Sequence, residues 1–154
     1  MAVHTFESRQ LLEADVSTAW DFFSDPRNLS RITPPALDFK ILGDPPPAIY
    51  PGLMIEYRVR PLLGIPARWL TEITHVKTGA FFVDEQRIGP YRIWHHEHHF
   101  ESLPDGRTGM RDRVTYVLPF GLLGDLVHPL LVRPKLEEIF SYRTTAVKSL
   151  FGGT

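Results

Sequence analysis

The sequence predicts an α+β fold: a curved antiparallel sheet of about seven strands wrapped around one long C-terminal helix, with two short helices after the first strand. Three observations carry this. Six strand-like segments between residues 36 and 118 are joined by turns too short to hold crossover helices. A long stretch with helical apolar spacing closes the chain. Two capped helix starts follow the first alternating segment.

VHTFESRQLL (3–12) alternates well enough for a first strand. In ADVSTAWDFFSD, Asp15 can cap a short helix that places Trp20 and Phe23 on one face. RNLSRI reads as a second short helix, with Asp25 as cap and Pro26 at its first position. Thr33-Pro34-Pro35 ends it, because proline disfavours a helical residue before it. The strands that follow are ALDFKIL (36–42), LMIEYRV (53–59), ARWLTEITHV (67–76), FFVDEQRI (81–88), YRIWHHEHHFESL (91–103) and TGMRDRVTYVL (108–118). Last comes a helix from about Leu126, with Pro129 and Pro134 as points of interruption. It carries Leu136, Ile139, Phe140, Arg143, Val147 and Leu150 on one stripe, and Gly152 and Gly153 stop it. That helix alone is long enough to cover one face of the sheet. A curved sheet closes poorly around a single helix, so a cavity is expected between them.

At 154 residues a single domain over 1–154 is expected, and 43% hydrophobic residues suffice for a buried core. A formal net charge of −1 offers no basic field to nucleic acid or an anionic membrane. The absence of cysteine excludes disulfides and thiolate chemistry and fits a cytoplasmic location. MAVHTFESRQ lacks the pattern of a signal peptide. The most apolar run, LPFGLLGDLVHPLLV, is broken by Asp125, His128 and Pro129, so membrane insertion is not expected. The sequence leaves a homodimer open.

Chemistry concentrates in WHHEHHF (94–100). Alternate strand residues point to opposite faces, so Trp94, His96, His98 and Phe100 share one face and His95, Glu97 and His99 the other. The face with both aromatics is the expected inner one. In the next strand Met110, Asp112, Val114, Tyr116 and Leu118 form the inner set. A turn centred on Asp105 then pairs Phe100 with Met110, His98 with Asp112, His96 with Val114 and Trp94 with Tyr116. Directly opposed Cβ atoms lie roughly 4.5–5.5 Å apart, so His98 and Asp112 can hydrogen-bond.

Three readings of that pair compete. His96, His98 and Asp112 would supply two imidazoles and a carboxylate to zinc or non-haem iron, but no third histidine or second carboxylate is placed with them. Neither metal nor cofactor is therefore expected. As an acid–base dyad, Asp112 would orient His98 and raise its pKa. As a buried polar pair the two would satisfy each other and one ligand oxygen. Tyr57 and Trp69 read as inner-face aromatics with one satisfied polar atom each. Arg143, on the apolar stripe, would either bind an anionic ligand group or pair with Asp112 or Asp84, and an internal ion pair is the expectation. FFVDEQRI has two settings. A two-residue Gly89-Pro90 loop turns Phe81, Val83 and Glu85 inward, whereas a bulge turns Phe82, Asp84 and Gln86 inward.

The element order resembles the START/Bet v 1-like (SRPBCC) helix-grip superfamily, and within it a bacterial ligand-binding, polyketide cyclase-like group. The resemblance rests on VSTAWDFFSDPRNLSRITPP, PG-x-x-IEY (51–57), FVDEQRIGPYRIWHHEHHF (82–100), MRDRVTY (110–116), PFGLLGDL (119–126) and IFSYR (139–143). It implies a hydrophobic cavity for an apolar or amphipathic small molecule. It also favours the bulged setting, in which Asp84 and Gln86 join His96, His98 and Asp112.

Two functions follow as expectations. The first is binding or carriage of a lipid, isoprenoid or polyketide-like ligand by Tyr57, Trp69, Trp94, Phe100, Met110, Tyr116 and Phe140, with the polar residues above. The second is a cofactor-independent aromatase/cyclase- or dehydratase-type enzyme. It would use His98–Asp112 as base and Tyr57 or Tyr116 as proton donor.

Overall fold

The computed structural model describes residues 1–153. Its strands are β1 (His4–Leu12), β2 (Lys40–Leu42), β3 (Met54–Leu62), β4 (Ile65–Lys77), β5 (Phe81–Ile88), β6 (Ile93–Ser102) and β7 (Thr108–Val117). Helix α1 (Val16–Phe23) follows β1, and α2 (Leu122–Val127) and α3 (Arg133–Phe151) close the chain. The strands form one antiparallel sheet in the order β1-β7-β6-β5-β4-β3-β2. This is the predicted helix-grip architecture, with the sheet curved around the C-terminal helix.

Local chemistry explains most boundaries. The Asp15 carboxylate accepts from Thr18 N at 2.7 Å and starts α1. Asp25 accepts from Arg27 N and starts a 3₁₀ turn at Pro26–Ile32, where a short α-helix was expected. Of the expected strand 36–42, only Lys40–Leu42 pairs. Pro35 opens another 3₁₀ turn, and Asp38 adopts a left-handed φ of 45° that re-aims the chain. The C-terminal helical run begins at Leu122, earlier than expected, and spans 30 residues. Pro129 lacks an N–H, and the run absorbs it through a π-helical turn at His128–Val132 instead of breaking.

The β6–β7 register is the one predicted: Phe100 opposite Met110, His98 opposite Asp112, His96 opposite Val114 and Trp94 opposite Tyr116. The parity of β5 is set by irregularities in its pairing with β4, between Leu70 and Thr71 and between Ile73 and His75. Each shifts the register and increases local twist. Asp84 then lies opposite His96, and Phe82 opposite His98.

The core is divided by the cavity. At the α1 end, Leu12, Ala19, Trp20, Phe82, Phe100, Met110 and Val147 pack together. On the β1–β7 side, Phe6, Val114, Tyr116, Leu136 and Phe140 pack between sheet and α3. Leu12 is wholly buried where strand, helix and C-terminus meet, and it forms an isolated bridge to Gly153. Leu12→Ala is expected to cost about 3 kcal/mol of unfolding free energy, measured by urea denaturation. A loss within a few tenths of a kcal/mol would show that this junction adds little to the core.

Candidate functional site

A cavity of about 450 Å³ lies between the inner face of the sheet and α3. That is the size of a small-molecule site. Its lining is mostly apolar, including Ile55, Val59, Trp69, Trp94, Ile139 and Phe140. Pro119, Phe120 and Val127, from the segment before α3, contribute to the lining, and Phe120 is 82% exposed.

One wall is polar. His96 and His98 on β6 lie between Asp84 on β5 and Asp112 on β7, so three adjacent strands contribute. His96 Nε2 donates to Asp112 Oδ1 at 2.9 Å. His98 Nε2 donates to Asp84 Oδ2 at 2.6 Å, and its Nδ1 stands 3.1 Å from Asp112 Oδ1. The two imidazoles lie against each other with centroids 3.7 Å apart, and Phe82 stacks on His98 at 4.1 Å. The Asp84–His98 and His96–Asp112 bonds run diagonally across the ladder, because imidazole reaches past its directly opposed neighbour.

The electrostatics distinguish the two histidines. Burial alone would push His98 down, but Asp112 and Asp84 outweigh it and hold its pKa above 6.5. Burial pushes His96 down, the neighbouring His98 adds to this, and the carboxylates do not recover it. Both aspartates stay below their usual range: burial opposes ionisation, and the imidazoles overcome that penalty. The cluster therefore holds two carboxylates, a His98 whose two ring nitrogens both face carboxylate oxygens and favour the charged form, and a His96 whose surroundings favour the neutral form with its proton on Nε2. His96 Nδ1 keeps a free lone pair, 3.8 Å from Asp84 Oδ2.

The expected dyad is thereby revised. Asp112 does contact His98, but both ring nitrogens of His98 face carboxylate oxygens and neither is free to take a proton. The nitrogen able to do so belongs to His96. Among the described residues, ligand atoms of Asp84, His96 and His98 lie within 4.8 Å of one another and could hold a divalent cation. Asp84 replaces Asp112 in that set. An ion there would displace the proton shared by His98 and Asp84.

The other expected ligand contacts divide cleanly. Tyr57, Trp69, Asp84, Trp94, His96, His98, Phe140 and Arg143 line the cavity. Phe100 and Met110 do not, because α1 and Trp20 cover their end of the inner face. Asp112 lies behind the two histidines. Tyr116 is fully buried and its hydroxyl donates to His128 Nε2 at 2.6 Å, away from the cavity. Gln86 faces inward, but its amide clamps the β5–β6 connection through Tyr91 O at 2.5 Å and Tyr91 N at 3.1 Å. That clamp makes a wider loop than a two-residue turn. It also carries Tyr91 into the cavity wall, a contact missed in the sequence, where GPY reads only as a turn. Burial raises the Tyr57 phenol, so it remains a protonated donor.

Arg143 departs furthest from expectation. It makes no ion pair among the described residues, since Asp84 and Asp112 are taken by the histidines. Its guanidinium lies 5.0 Å from the Phe140 ring centroid instead.

These shifts set the pH dependence of stability. The contribution of His98, with its raised folded pKa, is complete below pH 6.5 and is lost as pH rises through the folded value. That of His96, with its lowered folded pKa, is complete above pH 6.5 and is lost as pH falls through the folded value. Unfolding free energy is expected to peak near pH 6.5 and to fall on both sides, as read by urea denaturation at about pH 5, 6.5 and 8. A monotonic profile would contradict the assignment of charges. Asp112→Asn should cost about 3–5 kcal/mol at the peak by leaving the imidazolium short of a counter-charge.

The family described as polyketide cyclase / dehydrase and lipid transport matches residues 12–136. No curated protein sequence matches the chain. Among solved structures, the Zhui aromatase/cyclase from Streptomyces sp. R1128 superposes with a TM-score of 0.71 at 16% identity, covering 95% of this chain and 92% of that one. A START superfamily protein from Mycobacterium smegmatis also gives 0.71, at 14% identity over 96% and 99% of the two chains. Ara h 8.0201 gives 0.65 at 20% identity, again over 96% and 99%. At these identities the likeness is one of fold. The family match, spanning most of the chain, shows that it belongs to the polyketide cyclase / dehydrase and lipid transport family.

Proposed function

We propose that the protein binds and carries an apolar or amphipathic small molecule of the lipid, isoprenoid or polyketide-like class. The ligand lies in the cavity between the sheet and α3, within reach of its few polar groups. The observation that carries this reading is the mostly apolar lining of the cavity, with a hydrogen-bonded Asp84–His96–His98 cluster on its sheet wall. Burial of apolar surface supplies affinity, and the few polar groups orient the ligand. Phe120, both exposed and part of the lining, supports entry of an apolar molecule, which meets apolar contact before it leaves water completely. No helix among the described residues is long and apolar enough to cross a membrane, and the lack of cysteine supports a cytoplasmic carrier.

Native mass spectrometry of untagged protein, compared with its denatured mass, tests this. The expected result is an excess of several hundred daltons that disappears on denaturation, or uptake of the neutral dye Nile red by ligand-free protein. A bare chain that takes up no dye would refute binding.

A second reading is favoured by the free lone pair of His96. With Asp112 holding Nε2–H, Nδ1 is placed as a general base, and the Tyr57 phenol is a protonated donor in the same cavity. These are the parts that aldol-type cyclisation or dehydration needs, without a cofactor. The fold shared with an aromatase/cyclase supports this reading by analogy alone. If the protein is such an enzyme, His96→Gln should lower turnover about 10²–10⁴-fold while retained ligand changes little. Unchanged turnover in His96→Gln would remove His96 as the base.

A further inference from the structure

We infer that the cavity selects ligands bearing a carboxylate, and that Arg143 on α3 is the residue that binds it. This rests on the binding reading above and assigns the chemical class of the ligand. Among the described residues, two buried side-chain polar atoms have no hydrogen-bond partner, Arg143 Nε and Trp69 Nε1, and both belong to cavity-lining residues. Both are donors. Two donors sealed from water without partners call for a ligand that brings acceptor oxygens.

The charge narrows this further. The two aspartates that could have neutralised Arg143 are engaged on the opposite wall, where Asp84 bonds His98 and Asp112 bonds His96. Arg143 lies over the Phe140 ring, an arrangement that leaves the edge of the guanidinium, with its N–H groups, to meet a planar partner. Arg143 is partly buried beside Ile139 and Phe140, its sealed Nε–H lacks a partner, and a carboxylate matches the guanidinium fork with two parallel bonds. A neutral carbonyl would satisfy Nε–H but leave the charge uncompensated. The carboxylate of an amphipathic acid meets both needs, and its apolar part fills the space lined by Val59, Trp69 and Trp94.

The test compares an acid with its ester, which share a hydrocarbon chain and differ in charge. Ligand-free protein is loaded with Nile red, and the dye is displaced with dodecanoate or methyl dodecanoate. Wild type is expected to favour the acid by about tenfold or more in displacing concentration. In Arg143→Met that preference should collapse toward unity while the ester is retained. Arg143→Lys should keep part of the preference, because it keeps the charge and loses the fork. Removing an unpaired charge should also leave Arg143→Met at least as stable to urea as wild type. Equal displacement by acid and ester in wild type, or a preference that survives in Arg143→Met, would overturn the inference. So would dye binding that neither compound displaces. Failure of Nile red to bind would instead refute the cavity-binding reading, and the inference with it.

Discussion

Two carboxylates buried on the inner face of the sheet, Asp84 and Asp112, are the constraint to which the surrounding structure answers. An uncompensated carboxylate there would cost several kcal/mol, a large share of the stability of a domain this size. The compensation comes from two imidazoles on the strand between them. This arrangement works only if His96 and His98 share a face with both aspartates, so a one-residue slip on either side of β6 would strand a charge. Register, charge balance and the polar wall of the cavity are thus one fact seen at three levels. The cluster links three strands through side chains as well as backbone, which holds that wall rigid against the helix that faces it.

Much of this was legible in the sequence, for identifiable reasons. Strand alternation and a short Pro-Asp-Gly turn leave one register that puts aromatics with aromatics, and β6 and β7 adopt it. The inner position of His96, His98 and Asp112 follows from that register alone. The hydrogen-bond partners do not, because opposed Cβ positions say who is nearest and imidazole reach decides who bonds. His98 therefore acquires two carboxylates and His96 becomes the histidine with a free nitrogen. The residues alone left the second carboxylate open, because the setting of β5 depends on irregularities in its pairing with β4, and the family resemblance favoured the setting that turns Asp84 inward.

The misplaced contacts have a common cause as well. Phe100, Met110 and Tyr116 do point inward, but an inner face is not a cavity wall along its whole length. Helix α1 fills one end with Trp20, and the β1–β7 side fills another with Phe6 and Phe140. Which inner residues remain uncovered is decided by the docking of helices from distant parts of the chain. Parity supplies the face; tertiary packing supplies the opening. Arg143 shows the converse. Its place on an apolar stripe suggested an ion pair, because a buried guanidinium usually finds one, yet the acids it could have paired with are already held by strand neighbours.

The two histidines also show how identical side chains two residues apart acquire different states. Two imidazolium rings with centroids 3.7 Å apart would repel strongly in this dry setting, so the pair holds one proton more than two neutral rings, not two. That proton resides on His98, which faces oxygens of both aspartates, while His96 is left with one close carboxylate and a charged neighbour. Burial favours the neutral form of His96, and the charge on His98 adds to that. Arg143, across the cavity, shares no hydrogen bond with either carboxylate. An anionic ligand held by Arg143 would add negative charge to the cavity that His96 lines, which favours protonation of that imidazole. A group that can take up a proton when an acid arrives, and release it when the acid leaves, lies in the wall that the ligand would meet.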